Sequence, residues 1–509
     1  MRTRGTDILL ALSLANLNLL QVWRELLFAS PADLYWMPTA APHDYAAAIF
    51  VMVVLAAVFF IVLRLIRRLP ERPADLAFLA LIAVALINLA DLLRRTLSEG
   101  WSLARVMRHL MLLDEPWKIG VIASLLAFVA LCLAILLSRR ASRFVARSIY
   151  VVGVILSAFA VSNAVQALWH LGTGAQAGVP GTPASGAATS ADRVSGRVVW
   201  LIFDELDARD LFAQRKPDRD YPAFDALRRQ STYFTRVHPA GGSTVQAVPT
   251  LWLGRHVAHA EPKGPSQLAV RLDGETEMRD LRTLPHLFAE AKARGAEIAA
   301  VGWYHPYCRL FPAELSRCHE FFVYTARPTR TEGFTDAFTR TLNSLHVFWR
   351  WVIQIETYER MRAESLDAAT DPRFDFVAVH VSVPHRPYVF DPKRGELTWF
   401  GAGLQYEDNL ALADRYLGEL RDAMIEAGLW DDTAVIATAD HGRRDKGDGT
   451  HRDKAGIVPL FVKLPGQRHG AVITQEVHAE IQRDLILELL TGTAPGVDQL
   501  ASWLDRKGG

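Results

Sequence analysis

The sequence predicts a two-part protein, an N-terminal bundle of five transmembrane helices followed by an α/β soluble domain with a central, mostly parallel sheet. Three observations predict it. Roughly the first third of the 509 residues is apolar, with its charges gathered in short clusters. From Arg197 onward, short apolar runs alternate with segments of helical period. Acidic and histidine residues stand just past three of those runs, where packing alone does not ask for them.

Residues 8–28, 45–66, 76–93, 119–137 and 149–171 each approach the ~20 apolar residues that cross a bilayer core. The first contains Asn16, Asn18, Arg24 and Glu25 and is the least apolar. A cleaved signal peptide is its alternative, but no short apolar region with a small-residue cleavage site follows. Arg2 and Arg4 precede the first stretch, Arg64, Arg67, Arg68 and Arg72 follow the second, and Arg139, Arg140, Arg143 and Arg147 follow the fourth. Residues 29–44 have neither Lys nor Arg, so the positive-inside rule puts the N-terminus in the cytoplasm and everything after the fifth stretch outside. Arg94, Arg95, Arg105, Arg108 and Lys118 go against this pattern. They fit an amphipathic helix at 101–113 lying on outer headgroups, or a simple exposed loop. Residues 1–171 thus read as a membrane anchor in a bacterial-type inner membrane. Residues 172–194 read as a flexible linker of small, nearly uncharged residues, and 195–509 as an extracytoplasmic domain. The formal net charge of +1 implies no surface for nucleic acid or another polyanion.

In the soluble part, residues 198–203, 298–303, 376–379, 433–438 and 459–462 are largely apolar without period-two alternation, the pattern of strands buried on both faces of a parallel sheet. Helices are expected at 284–294 and 408–427, the second stopped by Gly428. In such folds chemistry collects at the carboxyl ends of strands. Asp204 and Glu205 follow the first run, His380 and His385 the third, and Asp440 and His441 the fourth. Carboxylates and imidazoles converging at strand ends are good metal ligands. Glu205 reads either as a further ligand or as an exposed acid after a strand. Cys308 and Cys318 are either a disulfide, which an oxidising compartment permits, or two thiols. The aromatic stretch 342–358 has helical period and belongs either in a core or against lipid.

The succession VVWLIFDE, YPAFDALRRQSTYFTRVHPAGGSTVQAVPTLWLGR, HVSVPHRPY and TAVIATADHG with a downstream GTHRDKAGIVPLFVKLPG resembles the alkaline phosphatase/sulfatase superfamily. Five spans ahead of such a domain look most like the lipid A phosphoethanolamine transferases, and more distantly like lipoteichoic-acid synthases. Thr244, followed four residues later by Val248-Pro249, is similar to the transferases' nucleophile segment. The resemblance implies that Asp204, Thr244, Asp440 and His441 hold one divalent metal, zinc first and manganese second. It also implies that His380, His385 and His451 contact the phosphate or leaving group. Asp204 stands where those enzymes use Glu, and Arg443 where they usually have Glu.

A Thr hydroxyl is a weak nucleophile that needs a base or a metal, and a helix start favours negative charge beside it. The expected activity is transfer of a phospho-alcohol group, phosphoethanolamine from a membrane phospholipid donor, to an extracytoplasmic glycolipid or glycan acceptor. The route is a phospho-threonine on Thr244, with Ser243 as the rival nucleophile and His385 and His451 as acid–base groups. Phosphoglycerol transfer, a membrane-tethered phosphodiesterase or sulfatase-like hydrolase, and an inactive envelope-regulating scaffold are the alternatives. Sulfatases of the superfamily mature a Cys or Ser to formylglycine, and Thr244 offers neither.

Overall fold

The computed structural model describes the chain apart from residues 1–3, 88, 91–137, 174–193, 323–324, 326, 328, 346–348, 401–402, 444–456 and 508–509. The expected span 119–137, the headgroup helix 101–113 and most of the linker lie outside the described residues. The chain divides into two compact units. Met1–Ala29, Ala40–Ala177 and Arg330–Trp349 form the first; Ser30–Thr39, Gly178–Thr329 and Arg350–Gly509 form the second.

In the first unit, Pro42–Ile66 and Arg139–Thr173 are long and apolar enough to cross a membrane. The expected span at 8–28 is two helices, Arg4–Asn18 and Leu20–Leu27, bent by 70° at their junction. With the pair taken as one crossing the count among the described residues is three. The break falls where the polar residues were: Asn18 turns its side-chain amide onto the Leu14 carbonyl, 2.9 Å away, next to the junction. Of the expected span 76–93, the helix Glu71–Ala85 covers the first part, and residues 88 and 91–93 lie outside the described residues. Several polar groups inside this unit pair with one another, which lowers the cost of burying them. Asp7, fully buried, accepts from the Arg67 guanidinium and from the Tyr150 hydroxyl at 2.8 Å. Asn163 donates to Asn16 at 3.0 Å. The helix Phe334–Asn343 belongs to this unit, with Phe334 and Phe338 edge-on to Phe50 at 5.8 and 5.7 Å.

The second unit is built on an eight-stranded sheet. In chain order its strands are β1 (Arg197–Phe203), β2 (Thr232–His238), β3 (Ile298–Trp303), β4 (Arg317–Phe321), β5 (Phe376–Val381), β6 (Thr433–Ala439), β7 (Val458–Lys463) and β8 (Ala471–His478). Their spatial order is β8-β2-β7-β6-β1-β5-β3-β4. Only β7 runs antiparallel to its neighbours, and the other pairings are parallel. The centre is where the apolar runs predicted it, because β1, β3, β5 and β6 are buried along nearly their whole length. The edges β4 and β8 are half-exposed, and β2, buried at Thr232–Phe234 and Val237, opens to solvent toward its end; none of the three carries an unbroken apolar run. The expected helices are Leu287–Ala293 and Tyr406–Glu426. Of the aromatic stretch, Ile353 and Tyr358 on the helix Trp349–Thr370 are buried, which is the core-packing alternative. Cys308 and Cys318 form a disulfide.

One cap is expected to make this fold sensitive to acid. His286 is buried and its Nδ1 accepts the Ala289 amide at 3.2 Å, capping the helix Leu287–Ala293. Burial pushes its imidazole down to about 4. The unfolded chain therefore binds this proton more readily than the folded one. The contribution is full above the ordinary value of 6.5 and is lost as pH falls toward 4. That window corresponds to on the order of 3 kcal/mol at most. His286→Asn keeps a capping oxygen and removes the titration. Thermal melts of the full-length protein at pH 7 and pH 4.5 should show a smaller drop for this variant than for the wild type. An equal drop in both would remove His286 from the explanation.

Candidate metal centre and nucleophile

Three adjacent strands deliver the site from their carboxyl ends. Asp204 leaves β1, His380 is the fifth residue of β5, and Asp440 and His441 leave β6. His380 was expected just past its strand. It lies within it, in register with Ile202 of β1, because β5 continues to Val381. The backbone turns sharply after β1: Glu205 takes a left-handed φ of 66°, unusual for a residue with a Cβ. Its amide donates to Asp440 Oδ1 at 3.2 Å, and the His441 amide donates to the same oxygen at 2.7 Å. These two donors fix the carboxylate. Glu205 was expected to be an exposed acid or a ligand; it is buried, with Oε1 at 4.0 Å from His385 Nε2.

Thr244 is the first residue of the helix Thr244–Leu253, entered from an extended Ser243. Its hydroxyl, 1 % exposed as a residue, lies 3.2 Å from His441 Nε2. The other ring nitrogen of His441, Nδ1, is 3.0 Å from the Gly442 carbonyl. A carbonyl only accepts, so Nδ1 carries the proton and Nε2 offers its lone pair to the Thr244 hydroxyl. The same Nε2 is 3.3 Å from Asp440 Oδ2 and 3.9 Å from Asp204 Oδ1. The four residues expected to share a metal are therefore gathered at one point. Ser243, the rival nucleophile, has its hydroxyl on the Gln246 side chain at 3.3 Å instead.

Among the described residues, Asp204, His380 and Asp440 form a buried group whose ligand atoms all lie within 4.8 Å of one another. His380 thus sits with the carboxylates, whereas the family resemblance put it on the substrate side. Its Nδ1 is 3.3 Å from the Tyr307 hydroxyl, and its Nε2 makes no hydrogen bond among the described residues. Asp440 Oδ2 likewise makes none. Burial holds the His380 imidazole down to about 4, so it is neutral at physiological pH. Burial pushes the Asp440 carboxyl up, but the imidazoles of His441 and His380 outweigh it and leave the group below its usual range. Anionic oxygens and lone-pair nitrogens with buried, unused acceptor capacity are what a divalent cation needs, so these residues fit one. Zinc and manganese are both compatible with such a donor set.

His385 follows β5 beside this cluster, its Nε2 4.0 Å from Glu205 Oε1, on a loop pinned by Asn409. The Asn409 amide donates to the carbonyls of His385 at 3.0 Å, Pro387 at 3.3 Å and Pro384 at 3.4 Å, while its oxygen accepts the Val389 amide at 2.9 Å. His451 lies outside the described residues.

The end of β3 also supplies the site, which the sequence reading overlooked. Trp303 Nε1 donates to Asp204 Oδ2 at 2.6 Å, Tyr304 adopts a left-handed φ of 70°, and His305 Nε2 lies 3.0 Å from the Thr244 carbonyl. Burial pushes His305 down to about 3, leaving it neutral. Gly302 is required here: a Cβ would meet the Tyr307 ring at 2.1 Å. The run 298–303 had been recognised as a strand, so the strand-end rule applied to WYHPY would have reached His305.

A parallel-sheet α/β domain with carboxylates, imidazoles and a helix-initial threonine at its strand ends is of the alkaline phosphatase type. The family model described as Sulfatase matches residues 197–493, more than half of the chain. The chain belongs to the sulfatase family, as an enzyme of the hydrolase and phosphotransferase kind whose members are metal-dependent. No curated protein matches it by sequence. Among solved structures it is similar to Ps i-CgsB in complex with k-i-k-neocarrahexaose, at 14% identity and TM-score 0.43 over 60% of this chain and 74% of that one. It is similar to a phosphonate monoester hydrolase from Silicibacter pomeroyi at 16% and 0.38, over 60% and 78%. The lipoteichoic acid synthase LtaP from Listeria monocytogenes gives 13% and 0.38, over 60% and 73%.

Proposed function

We propose that this enzyme is a membrane-anchored phosphotransferase. It moves a phospho-alcohol group, phosphoethanolamine first, from a phospholipid to an extracytoplasmic glycolipid or glycan through a phospho-threonine on Thr244. The observation that carries the reading is the Thr244 hydroxyl, buried at a helix start and 3.2 Å from the lone-pair nitrogen of His441, beside two carboxylates. A threonine cannot mature to formylglycine as Cys or Ser does, so sulfate ester hydrolysis of the sulfatase kind is disfavoured. Helices long enough to cross a membrane support a lipid donor, since confinement to one surface raises effective concentration. The arginine pattern of the anchor supports an extracytoplasmic catalytic domain.

In the first half-reaction Thr244 Oγ1 attacks phosphorus and its proton leaves to solvent, since the one ring lone pair of His441, 3.2 Å from Oγ1, would be committed to a bound cation. The bond from phosphorus to the diacylglycerol oxygen breaks, and that oxygen takes a proton, for which His385 and His451 are the assigned donors. In the second, an acceptor hydroxyl gives its proton to the histidine that protonated diacylglycerol and attacks the phospho-threonine, and Oγ1 leaves, taking a proton from solvent. A cation held by Asp204, Asp440, His441, Thr244 and His380 would supply charge neutralisation at the phosphoryl oxygens. The free amides of the first helical turn add to the same field.

Transfer and hydrolysis differ in what resolves the intermediate. Incubation of the full-length protein with phosphatidylethanolamine should release diacylglycerol slowly. A glycolipid acceptor should raise turnover by at least an order of magnitude and take up the group. Equal donor consumption with and without acceptor would replace the transferase by a phosphodiesterase, and a glycerophosphate-specific donor would replace phosphoethanolamine by phosphoglycerol.

A further inference from the structure

Tyr35 precedes the catalytic residues by a long stretch of chain, in the segment Ser30–Thr39 that follows the first apolar helices, yet this segment belongs to the α/β unit. Tyr35 is fully buried in the core of that unit. Its hydroxyl lies 2.6 Å from His305 Nδ1, and His305 Nε2 lies 3.0 Å from the Thr244 carbonyl. The hydrogen positions follow from chemistry. The Thr244 carbonyl can only accept, so Nε2 carries the ring proton; Nδ1 is then an acceptor, and the Tyr35 hydroxyl donates to it. The segment is gripped on both sides of this contact. Arg309 donates to the Leu34 and Tyr35 carbonyls at 2.9 and 3.1 Å, and Trp36 stands edge-on to Tyr304 at 4.7 Å. Tyr304 itself holds the left-handed turn that aims His305.

We propose that Tyr35 and His305 form a hydrogen-bonded strut that positions Thr244, so that the segment between the first two apolar stretches of the anchor supplies a positioning residue for the nucleophile. The strut rests on the reading of Thr244 as nucleophile. Neither residue touches the reacting atoms: they act on the backbone of the first helical residue, whose displacement by even ~1 Å costs on the order of a hundredfold in rate. The neutral ring in one fixed tautomer makes the link directional, and Tyr35→Phe removes its far donor while keeping the ring that packs on Trp36 at 4.6 Å.

The test uses the full-length protein in detergent as wild type, Tyr35→Phe, His305→Gln and the double variant. Two readouts are taken: turnover of phosphatidylethanolamine, and amide exchange by mass spectrometry. For Tyr35→Phe, kcat should fall about 10- to 100-fold with KM within about twofold. Amide exchange should speed up in the peptide covering Thr244–Leu253 and stay unchanged in the central strands. The double variant should be no slower than His305→Gln alone, since links in series do not add. Unchanged exchange in that peptide overturns the strut, as does additive loss in the double variant. Faster exchange throughout the α/β unit also overturns it, because that marks general destabilisation. Should the wild type turn over no donor, the phosphotransfer reading fails, and the exchange comparison still decides the strut.

Discussion

Thr244→Ala should abolish turnover, by about four orders of magnitude or more, while the protein still folds and still holds metal. The size of the effect follows from the role. Removing a covalent nucleophile eliminates the route rather than slowing one step of it, and comparable deletions in other enzymes cost on the order of 10⁴–10⁶. Structural damage should be small. The methyl and hydroxyl that are lost sit at a helix start, and the Ser243 carbonyl still receives the Ala247 amide at 2.8 Å. Metal should remain because Asp204, Asp440, His441 and His380 come from strand ends that the substitution does not touch. Mass spectrometry after incubation with a phosphatidylethanolamine analogue should find a phosphoethanolamine adduct on the Thr244 peptide of the wild type and none in the variant. An adduct on Ser243 would move the nucleophile by one residue. Residual turnover within tenfold of the wild type would exclude a covalent role for this segment.

Asp440→Ala should empty the metal centre. The wild-type protein is expected to carry about one equivalent of tightly bound divalent metal, and the variant less than about a tenth of that, by elemental analysis after dialysis. Asp440 does two jobs at once: Oδ1 ties together the turns after β1 and β6 through the amides of Glu205 and His441, and Oδ2 is the unused acceptor beside His441 Nε2. Its loss leaves two buried amides without their acceptor, so some stability is lost too, on the order of 1–3 kcal/mol. Asp440→Asn separates the effects, since the amide oxygen can still accept from both amides while the anionic charge is gone. Asn should restore most of the stability and little of the metal. Full metal occupancy in the Ala variant would mean that the ion is held elsewhere.

Residue type and local pattern were enough to place the sheet's centre, since a strand buried on both faces needs an unbroken apolar run, and VVWLIF and TAVIATA are such runs. The same runs located Asp204, Asp440 and His441 through their convergence at several strand ends, since a single acid after a strand is ordinarily a turn or cap residue. Thr244 was legible only through its resemblance to a nucleophile segment; as an isolated residue it is an ordinary helix start. The edge strands escaped because half-exposed strands carry mixed patterns that loops share.

By itself, then, the sequence determined an apolar N-terminal portion, a parallel α/β sheet and the strand ends where two carboxylates and an imidazole meet, all of them consequences of burial acting within a few residues of each other. The tertiary structure alone decided that His380 joins those carboxylates, and that the first apolar stretch breaks at Leu19 into two helices. It alone decided that Tyr35 reaches His305 across 270 residues of chain. Those outcomes depend on which elements pack side by side. Short-range periodicity carries no record of that, because a hydrogen bond between distant residues leaves each of them looking, in its own neighbourhood, like any other buried polar side chain.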